Sequence, residues 1–331
     1  MFKTITVNKY SDLSEAQWKK YYDFRLLLDE RVNAQTPFLS FSRLKETLPT
    51  VFDGKGRMVI ISEGDKFVAV IQLVRLAKYS FYNARLDVLF GSLLYDIPPK
   101  MVSVIKKVIA DFKLKDEPVY FQVSGYKYAE LVKSLSGKVA NDSLSFKLAV
   151  ADIIWENIDQ WYKDGRKNNA GLTLRLFKGL PKNKKQAQEL LDLWKLADMD
   201  IPNEDNYYDI SDRSFITETL DYAAKHNGIN YFYVLIEKKS NRMIGLTNVS
   251  FYTKGSGYAG QGISGIVPEY RNLGLCKYLK AAMLKKLLKD HPEILKGIRT
   301  AVNNNNYPIL KITKLMGFRF TGNSVSYRLG I

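Results

Sequence analysis

The chain has 331 residues, 46% hydrophobic and 13% aromatic, enough to bury a core and contrary to a disordered class. The length favours two domains, and a net charge of +16 raises an anionic partner, nucleic acid included. No apolar run approaches the roughly 18 residues of a membrane span, and the opening MFKTITVNKYSDLSEAQ has no signal-peptide core. A cytoplasmic protein with no membrane partner is therefore expected.

One cysteine excludes an internal disulfide. Two separated histidines, His226 and His291, argue against a His/Cys metal site, and no loop of closely spaced acids suggests a carboxylate one, so no metal is expected. Charge is uneven: residues 1–150 carry +7 and residues 151–331 carry +9, and 271–319 alone account for +9. A solvated lysine-rich helix face explains this, and so does an anion site at one end of that segment.

In chain order, FKTITV reads as a strand and LSEAQWKKYYDFRLLLDERV as a helix with Ser14 as its cap. A second helix is expected over SFSRLKETLPTVF. MVIISEGDKFVAVIQLVRL (58–76) reads as a hairpin around Glu-Gly-Asp-Lys. A strand, Pro98 and an apolar-periodic helix follow, then PVYFQV and a short helical segment. WENIDQWYKDGRKNNAG is expected to link two domains, 1–150 and 151–331.

The second half repeats this order. LTLRLF is a strand, KKQAQELLDLWKLADM a helix, and SDRSFITETLDYAAKHNG a second helix capped at Ser211 or Asp212 and stopped at Gly228. NYFYVLIEKKSNRMIGLTNVSFY is a hairpin. AGQGISGIV is a strand ending at Pro268, which lies 170 residues after Pro98, and a helix, GIRTAV and a short helix complete the half. Strand, helix, helix, three strands, helix, strand, helix, strand implies an α/β (mixed α+β) chain. Each half is then a mixed, mostly antiparallel twisted sheet flanked by helices.

The run Arg271-Asn-Leu-Gly274-Leu-Cys276 opens the helix after Pro268. The first N–H groups of a helix lack internal partners and lie at its positive dipole end, where a phosphate fits. Glycine admits close approach, arginine adds charge-assisted hydrogen bonds, and a small residue at 276 keeps the next turn clear. Alone, Arg-x-x-Gly is an ordinary helix start. GxxxxGK[ST] is absent.

The wider run Ile263-Ser-Gly-Ile-Val267, Pro268-Glu-Tyr-Arg271-Asn-Leu-Gly274-Leu-Cys276 resembles the GNAT acyltransferase superfamily, as does Thr300-Ala-Val-Asn-Asn-Asn-Asn306-Tyr-Pro-Ile-Leu with its Met-Gly317-Phe318 ending. It is most similar to tandem, mycothiol synthase-like members, over roughly residues 240–329. Cys276 stands where the family has Gly or Ala. The resemblance implies two tandem GNAT-like domains and acetyl-CoA as co-substrate in the second. Ile266 and Val267 would give backbone contacts to the pantetheine arm. Arg271, Asn272, Leu273, Gly274, Leu275 and Cys276 would hold the pyrophosphate, with Asn306 near the cofactor. The first half, without Arg-x-x-Gly after Pro98, would be a degenerate domain that binds no CoA.

The implied reaction is attack of an amine on the thioester carbonyl, which needs a base and a proton for the leaving thiolate. The family's tyrosine acid maps near Ile312 and Thr313, neither a tyrosine. Tyr307 is the nearest candidate by sequence, Glu204 in the tyrosine-rich loop IPNEDNYYDIS a candidate base, and Ser264 a relay. A nucleophilic Cys276 lacks a local base, which favours a packing role. The expected function is acetyl transfer to a small-molecule amine or an amino group of a larger substrate. A basic nucleic-acid-binding protein and a non-catalytic CoA-binding module are the alternatives. Neither acceptor nor oligomeric state is specified by these residues.

Overall fold

The computed structural model describes residues 2–32, 41–42, 44–45, 57–74, 84–90, 99–111, 119–124, 129–202, 220, 224, 228–252, 257–293 and 295–329. The chain forms two compact units, residues 1–141 with 324–331, and residues 142–323.

In the first unit, β1 (Phe2–Val7) precedes α1 (Glu15–Val32). Ser14 starts α1 with a reciprocal capping box: its N–H donates to Gln17 Oε1 at 2.8 Å and its Oγ accepts from Gln17 N at 3.3 Å. The hairpin of β2 (Arg57–Glu63) and β3 (Lys66–Val74) turns through Gly64, whose φ of +57° suits a two-residue turn. β4 (Ala84–Phe90), α2 (Pro99–Asp111), β5 (Val119–Ser124) and α3 (Ala129–Ser134) follow. The strand β2 is buried on both faces. Met58 and Ile60 pack with Trp18 and Tyr21 of α1, and Val59 and Ile61 with Ile105 of α2. Period-2 alternation therefore puts α1 and α2 on opposite faces of this sheet.

The second unit begins within β6 (Lys138–Ala149). It continues through α4 (Trp155–Asn168), β7 (Leu172–Lys178), α5 (Lys184–Met199), β8 (Gly228–Glu237), β9 (Met243–Tyr252), β10 (Tyr258–Ile266), α6 (Leu275–Asp290), β11 (Gly297–Asn303) and α7 (Tyr307–Met316) into β12 (Arg319–Leu329). Gly228, expected to stop a helix, is the first residue of β8, where it pairs with Tyr252, and the three residues before it lie outside the described ones. The two expected second helices lie mostly outside the described residues; Phe41, Ser42, Leu44, Lys45, Leu220 and Ala224 are helical.

The strands of both units share one pairing scheme. β1–β2–β3–β4 are antiparallel, β4–β5 parallel, and β5 is antiparallel to Ser324–Leu329 of β12. β7–β8–β9–β10 are antiparallel, β10–β11 parallel, and β11 is antiparallel to Ser143–Ala149 of β6. The sixth strand of each sheet therefore comes from the other half of the sequence, and the expected boundary at 150 falls just after β6.

In the second unit α5 covers one sheet face, through Trp194 on Phe232 and Ala197 on Gly265. The helix α6 covers the other, with Leu279 near Gly245 and Met283 near Gln261. A Cβ at Gly165 of α4 would lie 2.2 Å from Tyr278 Cγ on α6, so this glycine sets how closely the two helices approach. Gly165→Ala is expected to cost about 1–3 kcal/mol by overpacking, read as a lower urea midpoint of the second unit.

Candidate functional site

The strands β10 and β11 pair only at Tyr258–Gly260 with Gly297–Arg299. Beyond that point β11 stays on β6 and β10 stays on β9, so the two neighbours part. The strand β10 bulges here: register with β9 shifts between Gln261 and Ser264, leaving Gly262 and Ile263 opposite Asn248. Thr300 Oγ1 donates to the Gln261 carbonyl at 3.3 Å, a side-chain bond where the ladder stops.

Val267 N–H donates to Ile244 O on β9 at 2.9 Å. The Ile266 carbonyl, the other end of that trans peptide, therefore faces the open side, and the Ile266 N–H shares its direction by strand geometry. Arg271 Nε donates to that carbonyl at 3.0 Å, and its Nη2 pairs with Asp200 at the end of α5. Tyr270 is anchored to Glu237, and Glu269 to Arg242.

Asn272 and Gly274 adopt left-handed conformations, φ +62° and +75°, which fold the loop back so that Gly274 caps α6. A Cβ on Gly274 would meet nothing within 4 Å. Backbone conformation thus favours glycine here, and the space above it is open. Gly274 O accepts from Tyr278 N, while the N–H groups of Leu275, Cys276 and Lys277 have no helical acceptor. Leu273 is exposed. Burial pushes the Cys276 thiol up, so it stays protonated, in keeping with packing rather than nucleophilic attack.

Asn306 caps α7, its Oδ1 accepting from Ile309 N at 3.4 Å. Tyr307 is the first residue of α7 and 70% exposed, so it is not a core aromatic. Ser264 Oγ is 2.7 Å from Thr247 Oγ1 on the α6 face of the sheet. Glu204 lies outside the described residues.

The basic segment is less free than its composition implies. Arg271, Lys285, Lys286 and Arg319 pair with Asp200, Asp159, Asp290 and Asp152. Lys280 is 2% exposed, and burial lowers its pKa. Among the described residues no cluster of three or more metal-binding side chains occurs, and no helix is long and apolar enough to cross a membrane.

Sequence reasoning missed Asp198. It is 6% exposed on α5, its Oδ2 has no hydrogen-bond partner, and burial pushes its pKa up to about 6. Its signal was present: Asp198 stands seven residues after Leu191 in the buried stripe of α5, where an apolar residue is expected.

No family model matches the sequence, and no curated protein matches it. Solved structures do match. A tandem GNAT protein from the clavulanic acid biosynthesis pathway is 15% identical, covers 99% of this chain and 98% of its own, and has a TM-score of 0.66. A GCN5-related N-acetyltransferase from Sphaerobacter thermophilus is 11% identical over 99% of this chain and 95% of its own, with a TM-score of 0.63. A GNAT-family acetyltransferase from Colwellia psychrerythraea is 12% identical over 99% of both chains, with a TM-score of 0.51. These likenesses span both units, and the chain has the fold of a tandem GNAT protein.

Proposed function

We propose that this protein is an N-acyltransferase that uses acetyl-CoA in its second unit. The observation that carries the reading is the parting of β10 from β11 beside the left-handed loop that opens α6. Acetyl-CoA would supply the acyl thioester. The open edge of β10 at Ile266 offers backbone groups to an amide-bearing arm, as the peptides of a missing strand would. Unpaired N–H groups at the start of α6, with open space over Gly274, suit a pyrophosphate. Arg271 would exchange its exposed Asp200 partner for phosphate, at small cost because such surface pairs are weak.

The acceptor is an amine. Its nitrogen attacks the thioester carbonyl, a C–N bond forms as the C–S bond breaks, and the thiolate leaves to take a proton. The hydroxyl pair Ser264–Thr247 can relay a proton at the bulge, and Tyr307 and Glu204 remain candidates for acid and base. Neutralised pairs on the basic segment and the burial of Lys280 weaken a nucleic-acid reading.

Calorimetric titration of acetyl-CoA into the wild type and into Arg271→Glu/Gly274→Trp tests the assignment. Micromolar binding is expected, weakened at least a hundredfold in the variant, since charge reversal and a bulky residue act on the same anion seat. A folded wild type that does not bind acetyl-CoA overturns it.

A further inference from the structure

Among the described residues, two buried acceptor oxygens lack partners on one face of the second sheet. One is Asp198 Oδ2. The other is Asn248 Oδ1, on a residue 5% exposed. Asn248 lies directly opposite Phe232, which meets Trp194 of α5, so its side chain shares the α5 face. A Cβ on Gly262, in the bulge of β10, would touch its carboxamide at 2.6–3.1 Å. Asp198 follows Ala197, which sits on Gly265 three residues along the same strand. Both oxygens thus belong to the α5 side of the half of β10 that has parted from β11. Buried acceptors almost always find donors, and an unpaired buried carboxylate is the costlier to leave without one. The strand β10 itself, YAGQGISGI, carries no carboxylate.

Resting on the acyltransferase reading, we propose that Asp198 and Asn248 form the seat of the acceptor's primary ammonium group, and so select cationic amines over neutral nucleophiles. An ammonium has three donors and a full charge, and the two oxygens supply acceptors and a counter-charge. Gly262 keeps the Asn248 carboxamide uncrowded. Burial as the sole cause of the raised Asp198 pKa agrees with a carboxylate awaiting a cation.

The test uses the full chain labelled with [4-13C]aspartate, as wild type, Asp198→Asn and Asn248→Ala, titrated with tyramine, spermidine, glucosamine and L-lysine. The signal missing from Asp198→Asn identifies Asp198. At least one amine is expected to move that signal and lower its titration midpoint, while the N-acetylated amine does not. Asp198→Asn should weaken that amine about thirtyfold or more, and Asn248→Ala about tenfold, the scale of hydrogen bonds to charged groups. The inference is overturned if no amine moves the signal, as for a seat that holds only buried water, or if Asp198→Asn binds amines as the wild type does. Parallel acetyl-CoA titration separates the two claims. Acetyl-CoA binding without an amine response sinks the seat alone, and an amine response without acetyl-CoA binding sinks the acyltransferase reading alone.

Discussion

Asp198→Asn should make the second unit more stable by about 2–3 kcal/mol at pH 7.5, and no more stable below about pH 4. The sign follows from the shift. The Asp198 carboxyl has an ordinary pKa of 3.8 and a folded value of about 6. Below 3.8 it is protonated in both states and has no effect. Between 3.8 and about 6 the unfolded chain releases the proton first, so stability falls as pH rises. Above that window the full penalty of a buried, unpaired carboxylate persists. Asparagine never ionises, so its advantage grows across the window and then levels. Hydrogen exchange of β9 and β10 amides at pH 4 to 7.5 reads the second unit alone. A gain independent of pH, or none at pH 7.5, would contradict the burial of an uncompensated charge. A substitution that stabilises the protein while weakening amine capture is the signature of a residue kept for function.

Gly265→Ala is expected to destabilise the second unit by about 2–3 kcal/mol, a large cost for one methyl group. Its Cβ would lie 2.3 Å from Ala197 Cβ and 3.0 Å from Ala197 Cα, so the backbone of α5 has to retreat. Ala197→Gly alone should cost about 1 kcal/mol, the ordinary helix-interior effect. Combined, the two changes should recover about 1–2 kcal/mol relative to their sum, because the glycine at 197 accepts the methyl group at 265. Urea unfolding of the four proteins gives the coupling. Strict additivity would mean that this contact does not set the distance between α5 and β10.

The two glycine contacts and Asp198 also mark what local pattern conveys and what it does not. The hairpin around Gly64, the Ser14 cap and the strand–proline–helix passage through Pro268 are set by residues a few positions apart, and each is visible in sequence. So is the turn at Asn272–Gly274, where the required backbone conformation selects the residue type. The exchanged sixth strands are not visible, because β6 and β12 resemble any edge strand until their partners are known. Lys280 looks like part of a solvated face. It is buried because α6 is enclosed on nearly every side, a property of its neighbours rather than of its own period. The ion pairs of Arg271, Lys285 and Arg319 join acids 71, 126 and 167 residues away, so a running charge count overstates the local field.

The exchanged strands have a consequence for synthesis on the ribosome. Residues 142–323 are contiguous and hold the six described strands of their unit, so this unit can fold as soon as it emerges. The first unit is translated earlier, yet its sheet lacks Ser324–Leu329 until the second has been made. Until then β5 presents an unpaired edge in the nascent chain, open to mispairing or to a chaperone. Folding therefore ends with the half that was translated first.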